Sequence, residues 1–217
     1  GMMARNSRSR ACLAEPPAES PSTRNSSVRP VSCEEQSASL PGSAGPAVTF
    51  LRTTFLPARN LACAFSIASS PSRENEIELH IRHVEGGGFT GYVLDELRER
   101  DIMRFEGPLG TFFVRNDQPG RPMIMMGGGT GFAPLKSMVE NLIEQGDQRP
   151  IHLYWGARTR AELYLDELPE QWNRAHDHIS YSRAISEPDD SDTGSFFSGF
   201  VHQAVIDDHA DLSGFDV

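Results

Sequence analysis

One stretch limits the possible folds of this chain more than any other. Met123–Pro134 reads MIMMGGGTGFAP, an apolar run that breaks into glycines, and an amphipathic segment, APLKSMVENLIEQG, leads on from it to Gly146. Apolar run, glycine loop and helix in immediate succession make the repeating unit of a parallel sheet with crossover helices. The unit recurs downstream. RPIHLYWGAR reads as a second buried strand, RAELYLDELPEQWNRA as a second helical region, HISYSRAIS as a third strand, and GFVHQAVIDDH opens another helix. Residues 120–217 are therefore predicted to form a doubly wound α/β domain of nucleotide-binding type.

The loop has the setting that phosphate binding requires, since a helix N-terminus offers N–H groups and the positive end of its dipole. Thr130 adds a hydroxyl, and Pro134 falls in the first helical turn, where a missing N–H costs nothing. The spacing is GGGTGxxP rather than GxGxxG, and the lysine of a P-loop is absent. Glycines alone leave two readings open, a phosphate cradle and a tight structural turn.

Upstream the pattern changes. VTFLRTTFL, LACAFSIAS and EIELHIRHV have strand character, and the last alternates Ile77, Leu79 and Ile81 against Glu78, His80 and Arg82, as in a half-buried antiparallel strand. TGYVLDELRER is predicted to form a short helix with Val93, Leu94 and Leu97 inward, and DIMRFEGPLGTFFV two strands about the turn Gly107–Gly110. Residues 47–119 thus form a partial antiparallel β unit. Residues 1–46 are rich in Ser, Pro, Ala, Arg and Glu with almost no large apolar side chains, so they are expected to be a disordered tail. The fold class is α+β with two domains.

Charge and composition exclude several functions. The net charge of −10 divides into +3 over residues 1–62 and −13 over the rest, and so acidic a body does not suit nucleic acid. No apolar run approaches the roughly 20 residues of a membrane-spanning helix, and no apolar stretch of signal-peptide type follows the basic N-terminus. Cys12, Cys33 and Cys63 are too widely spaced for a disulfide framework or a metal cluster, which predicts reduced thiols and a cytoplasmic location. His176 and His178 lie in a polar AHDH loop without nearby cysteines, so no metal site is expected. No serine has a G-x-S-x-G setting.

Taken in order, FSIAS, GGGFTGYVLDEL, EGPLGTFF, GGGTGFAP and YWGARTRAELYLDEL resemble the flavoprotein reductases of the ferredoxin–NADP⁺ reductase superfamily. Within it the likeness is to bacterial CDP-6-deoxy-glucoseen reductases and hydroxylase reductase components, from Ala64 to Val217. The resemblance implies a flavin-binding β-barrel followed by an NAD(P)-binding domain. It also implies FAD and NADH or NADPH as cofactors, hydride transfer to the flavin, and electrons passed to an iron–sulfur protein or domain.

The resemblance also implies roles for individual residues. Ser66 would place its hydroxyl near flavin N5 as the catalytic position, with Phe65 against the ring. Arg82 and His83 match the place that meets the ribityl and phosphate region, and Gly88, Phe89 and Thr90 the turn facing the flavin pyrophosphate. Gly128, Gly129, Thr130 and Gly131 match the loop for the nicotinamide dinucleotide's pyrophosphate, while Gly156 and Arg158 end the second parallel strand, where open α/β sheets bind ligands, as further cofactor-binding positions. Arg158 is open to two readings, cofactor contact or surface salt bridge. Ser186 and Glu187 end the third strand; Glu187 would repel a 2′-phosphate and accept from a ribose hydroxyl, which favours NADH.

The sequence departs from the family in three places. The flavin signature Arg-x-Phe-Ser reads Cys63-Ala64-Phe65-Ser66, without the phosphate-binding arginine. The first barrel strands are represented by VTFLRTTFL alone, and the barrel is expected to have unpaired edges. The last strand and helix of the α/β domain are expected to be missing. An impaired reductase follows, with a non-catalytic nucleotide-binding or interaction module as the alternative and an unstable product as a third reading.

Overall fold

The computed structural model describes residues 25–32, 50–54, 62–118, 120–190, 192 and 194–217. The chain divides into two compact units, one of residues 1–114 with Lys136–Asn141, the other of Arg115–Leu135 with Leu142–Val217.

In the first unit, strand β1 (Asn25–Ser32) pairs antiparallel with β4 (Glu76–Arg82), with a register shift between Val28 and Val31. Strand β2 (Phe50–Thr54) lies between β3 (Ala62–Ser66) and β5 (Arg104–Leu109), antiparallel to both. An isolated bridge, Ile67 to Leu79, carries the end of β3 onto β4, and the Ala68 amide donates to the Glu78 carbonyl at 2.8 Å. A single α-turn, α1 (Gly88–Gly91), runs into a π-helical turn, Tyr92–Glu96. Leu79, Ile81, Phe89 and Val93 form the core, with Cys63, Phe65, Ile67 and Phe105 packed against it.

Three sequence expectations need correction here. Strand β1 lies inside the stretch composition predicts to be a tail; its hydrogen bonds go to β4, some fifty residues away, and local composition does not report such a partner. Most of residues 1–46 lies outside the described residues. Strand β4 is buried on both faces, because Glu78 and His80 are only 7% and 4% exposed. The side chains of Lys136 and Ser137 reach residues 68–78, so the polar face of β4 is satisfied by ion pairs rather than by water. Finally, Arg104–Leu109 is one strand running through Gly107 and Pro108, and no second strand follows it before Asp117.

The second unit is a parallel sheet. Strands β6 (Met123–Gly128), β7 (Ile151–Ala157), β8 (Ile179–Ile185) and β9 (Phe197–Ser198) pair in that order. Asp216 bridges Met123 in parallel at the β6 edge. Helix α2 (Phe132–Glu144) follows β6 and ends where Gly146 adopts φ +70°. There the Gly146 amide donates to Ile143 and that of Asp147 to Leu142, a Schellman-type stop that glycine allows without strain. Helix α3 (Glu167–Ala175) follows β7, and α4 (Val201–Asp208) follows β9; the Phe200 amide just before α4 donates to Gln203 Oε1 at 3.0 Å. Each strand and helix predicted for residues 120–217 is present; β9 is additional. Among the described residues no helix is long and apolar enough to cross a membrane.

Candidate functional site

The carboxyl ends of β6, β7 and β8 meet at one edge of the parallel sheet, the edge at which open α/β sheets bind ligands. Gly128 pairs with Gly156 across β6 and β7. Beyond the ladder, the Ser186 amide donates to Ala157 at 3.0 Å and the Glu187 amide to Arg158 at 2.7 Å, so these two strand ends stay joined. The loop leaves β6 through a 3₁₀ turn, Gly129–Gly131, and enters α2 directly.

What holds the loop is Trp155, a residue the sequence reading missed. Fully buried on β7, it donates from Nε1 to the Gly129 carbonyl at 2.9 Å and stacks on Phe132, with ring centroids 3.9 Å apart and planes 10° from parallel. Its signal in the sequence was its place beside Gly156 in YWGAR.

The glycines sort into two kinds. A Cβ on Gly127 would lie 2.9 Å from both the Gly131 carbonyl oxygen and Leu135 Cδ1, and one on Gly156 would lie 2.8 Å from Val201 Cβ. Close packing accounts for both, and gives Gly156 a role against α4 that the sequence reading had assigned to cofactor. Gly129 is required by its φ of +52°. Gly128 and Gly131 differ: the nearest atom to a Cβ on Gly128 would be 3.9 Å away, none would lie within 4 Å on Gly131, and neither has a positive φ. Among the described residues, neither a close contact nor a positive φ calls for glycine at these two positions.

Arg158 is engaged by Glu162. Its Nε donates to Glu162 Oε1 at 3.1 Å, its terminal amino group to Oε1 at 2.5 Å, and its backbone N–H to Oε2 at 3.1 Å. Of the two readings the sequence left open, the structure contains the salt bridge. The spacing of four residues was a signal available in the sequence. Glu187 is exposed and Ser186 half-buried.

In the first unit, Cys63, Phe65 and Ile67 pack against the same apolar cluster, and the Phe65 ring lies 4.8 Å from that of Phe89. Ser66, the next residue along β3, is half-buried, while Arg82 and His83 are exposed. The Thr90 hydroxyl is committed within the turn: it donates toward the carbonyls of Val84 and Gly87 at 3.1 and 3.3 Å and accepts from the Val84 amide at 3.2 Å. It braces the turn, so the donation to a pyrophosphate implied by the resemblance does not fit its bonding. A Cβ on Gly87 would meet Thr90 Oγ1 at 2.6 Å, which accounts for glycine there.

Behind β4 lies a buried ionic network that the sequence did not suggest. The Lys136 ammonium contacts Glu78 Oε2 and Glu140 Oε1, each at 2.9 Å, and donates to the Ala68 carbonyl at 3.2 Å. Glu78 Oε1 lies 3.0 Å from His80 Nε2, and Ser137 Oγ donates to the Ser69 carbonyl at 2.7 Å. Burial acts to raise the Glu78 carboxyl, but the His80 hydrogen bond and the Lys136 charge outweigh it and hold its pKa at about 2, down from 4.5.

Comparison with known proteins finds two family matches along the chain. Residues 24–114 match the oxidoreductase FAD-binding domain family and residues 125–217 the oxidoreductase NAD-binding domain family. The chain belongs to the FAD- and NAD-binding oxidoreductases. It is 46% identical over 154 residues to the CDP-6-deoxy-L-threo-D-glycero-4-hexulose-3-dehydrase reductase of Yersinia pestis, covering 71% of this chain and 45% of that protein. It is 44% identical over 150 residues to the reductase component of phenol 2-monooxygenase from a Pseudomonas species, covering 69% and 42%. The chain therefore spans under half the length of these relatives. Among solved structures, a cytochrome P450 reductase from Amycolatopsis superposes with a TM-score of 0.75 at 24% identity, covering 96% of this chain and 59% of that one. A ferredoxin–NADP⁺ reductase from Neisseria gonorrhoeae, solved with FAD and NADP, superposes at 0.65 and 16% identity, covering 85% and 70%. At these identities the superpositions establish a shared reductase fold.

Proposed function

We propose that this chain is the flavin- and dinucleotide-binding part of an electron-transfer reductase component, taking hydride from NADH and passing electrons to an iron–sulfur acceptor protein or domain. The observation that carries the reading is the pair Gly128 and Gly131, where a Cβ would meet no atom of the described residues closer than 3.9 Å. A group from outside the chain is what a Cβ there would obstruct, and at a helix N-terminus beside a parallel strand a pyrophosphate has the matching charge. Trp155 holds the Gly129 carbonyl inward, so the loop is shaped before a ligand arrives.

FAD, when bound, would supply the hydride acceptor and the one-electron chemistry. For that cofactor the first unit offers Ser66 as the hydroxyl at the reacting edge, Phe65 as an aromatic neighbour, exposed Arg82 and His83 as phosphate partners, and the backbone of Gly88–Thr90. Cys63 packs toward the apolar cluster and supplies no cation. Losing one charge-assisted phosphate contact weakens binding by roughly 1.5–3 kcal/mol, so flavin is held loosely and turnover is impaired. In the second unit, Glu187 accepts from the adenosine ribose and disfavours a 2′-phosphate. The flavin part takes in residues 47–119 with β1, the dinucleotide part residues 120–217, and the chain works in the cytoplasm.

The visible spectrum tests this. Titration of the purified chain with FAD should give flavin absorption that saturates and is bleached anaerobically by NADH. A chain that stays colourless after reconstitution defeats the reading. It would favour a second one, to which Cys63 points: a dinucleotide-binding module that does not retain flavin.

A further inference from the structure

We infer that Glu162 is a specificity-determining residue, which selects against a 2′-phosphorylated dinucleotide by occupying the Arg158 guanidinium. The inference rests on the dinucleotide site proposed above and extends it from Glu187 to a pair of carboxylates.

Arg158 directly follows β7 at the ligand edge, and its side chain is 57% exposed. A cation so placed is the natural receptor for a 2′-phosphate. Glu162 prevents that. It lies in the 3₁₀ turn Arg160–Glu162, its side chain is 9% exposed, and its two oxygens accept from Arg158 Nε at 3.1 and 3.4 Å. Oε2 also accepts the Arg158 backbone N–H, which fixes the carboxylate relative to the strand end. The neighbouring cations are engaged as well: Arg160 faces Asp166 at 3.8 Å, and Arg183 contacts Asp166 and Glu170 at 2.5 and 2.6 Å. Glu187 is joined to Arg158 through its amide, and its charge adds to that of Glu162 in holding the guanidinium protonated. One cation and two carboxylates leave this corner net negative. It repels a 2′-phosphate and offers acceptors to ribose hydroxyls.

The test measures binding of 5′-AMP and of adenosine 2′,5′-bisphosphate to the full chain by calorimetry, without flavin or turnover. Glu162→Gln keeps an acceptor for the backbone N–H but releases the guanidinium. It should tighten bisphosphate binding on the order of tenfold while changing 5′-AMP less than twofold. Adding Arg158→Ala should abolish the gain. Alone, Arg158→Ala should leave discrimination within twofold of the parent, and this variant decides the matter if Glu162→Gln does not fold. Tenfold loss of bisphosphate binding in Arg158→Ala would show that Arg158 already serves the phosphate and would overturn the inference. So would a Glu162→Gln chain that binds both nucleotides as the parent does. If the parent binds neither nucleotide, the dinucleotide site itself is wrong and the inference falls with it.

Discussion

Replacing Lys136 with methionine tests the ionic network behind β4. Methionine keeps the length of the stem and removes the charge that Glu78 and Glu140 share. All three ammonium hydrogens have acceptors within 3.2 Å, two of them carboxylates, so the substitution removes the buried cation from both, leaving Glu140 only Arg73 at 3.7 Å among the described residues. Removing one partner of a buried pair costs about 3–5 kcal/mol. The Glu78 carboxyl gives a second figure, an upper bound for Lys136 because the His80 hydrogen bond also lowers it. Its shift from 4.5 to about 2 corresponds to ~3 kcal/mol of preference for the ionised form in the folded state, at about 1.36 kcal/mol per pH unit. The two agree in scale. Lys136→Met should therefore lower the opening free energy of the β4 amides by about 3 kcal/mol at pH 7, read by hydrogen exchange on peptides containing Glu76–Arg82. Because the folded pKa lies below the unfolded one, the Glu78 contribution is complete above pH 4.5 and declines as the pH falls toward 2. The parent should lose protection across that window, and Glu78→Gln should lose much less. In a double-mutant cycle, Lys136→Met with Glu78→Gln should fall short of additivity by roughly 2 kcal/mol. Additive effects, or a loss below about 1 kcal/mol for Lys136→Met, would refute the argument.

Four further outcomes are expected. Trp155→Phe keeps an aromatic ring on Phe132 but deletes the donor to Gly129, so stability should drop by about 1 kcal/mol and calorimetry should show several-fold weaker 5′-AMP binding. Gly156→Ala forces a Cβ against Val201 and should cost about 1–3 kcal/mol in denaturant unfolding. Gly131→Ala, with nothing within 4 Å, should leave unfolding unchanged while reducing 5′-AMP binding at least tenfold. Burial and neighbouring His209 hold the His152 pKa below 6.5 against the pull of Asp208, so the unfolded chain takes up that proton first and stability falls as pH drops below 6.5. His152→Leu should reduce the difference in melting temperature between pH 7.5 and 5.5.

Much of the second unit was legible because its elements satisfy themselves locally. Periodicity gave β6, α2, β7, α3, β8 and α4, and Gly146 marked the end of α2 by its own backbone preference. The first unit depends on partners distant in sequence, which is why β1 was read as tail and why Glu78 and His80 were placed in solvent. Alternation along β4 shows that its faces differ; it does not reveal that Lys136 covers the polar one. At the candidate site, the glycines and strand ends could be named from residues, but the groups that hold them could not. Trp155 acts through an indole N–H on a backbone carbonyl, and sequence pattern carries no record of such a bond. Arg158 and Glu162 were readable as a pair four residues apart, yet resemblance drew attention to the arginine alone.

The placement of the indoles gives the molecule two separate optical channels. The chain has two tryptophans, and both Trp155 and Trp172 belong to the unit that carries the glycine loop. Ultraviolet emission excited at the red edge of the spectrum therefore reports on that unit alone. Trp155 is fully buried, and its N–H is tied to the loop that would meet the nucleotide, so its wavelength and lifetime are expected to change on occupancy without any attached dye. Flavin colour would report on the other unit. A single cuvette can thus follow both halves of the chain, by indole emission and by flavin colour, as they load, titrate or unfold.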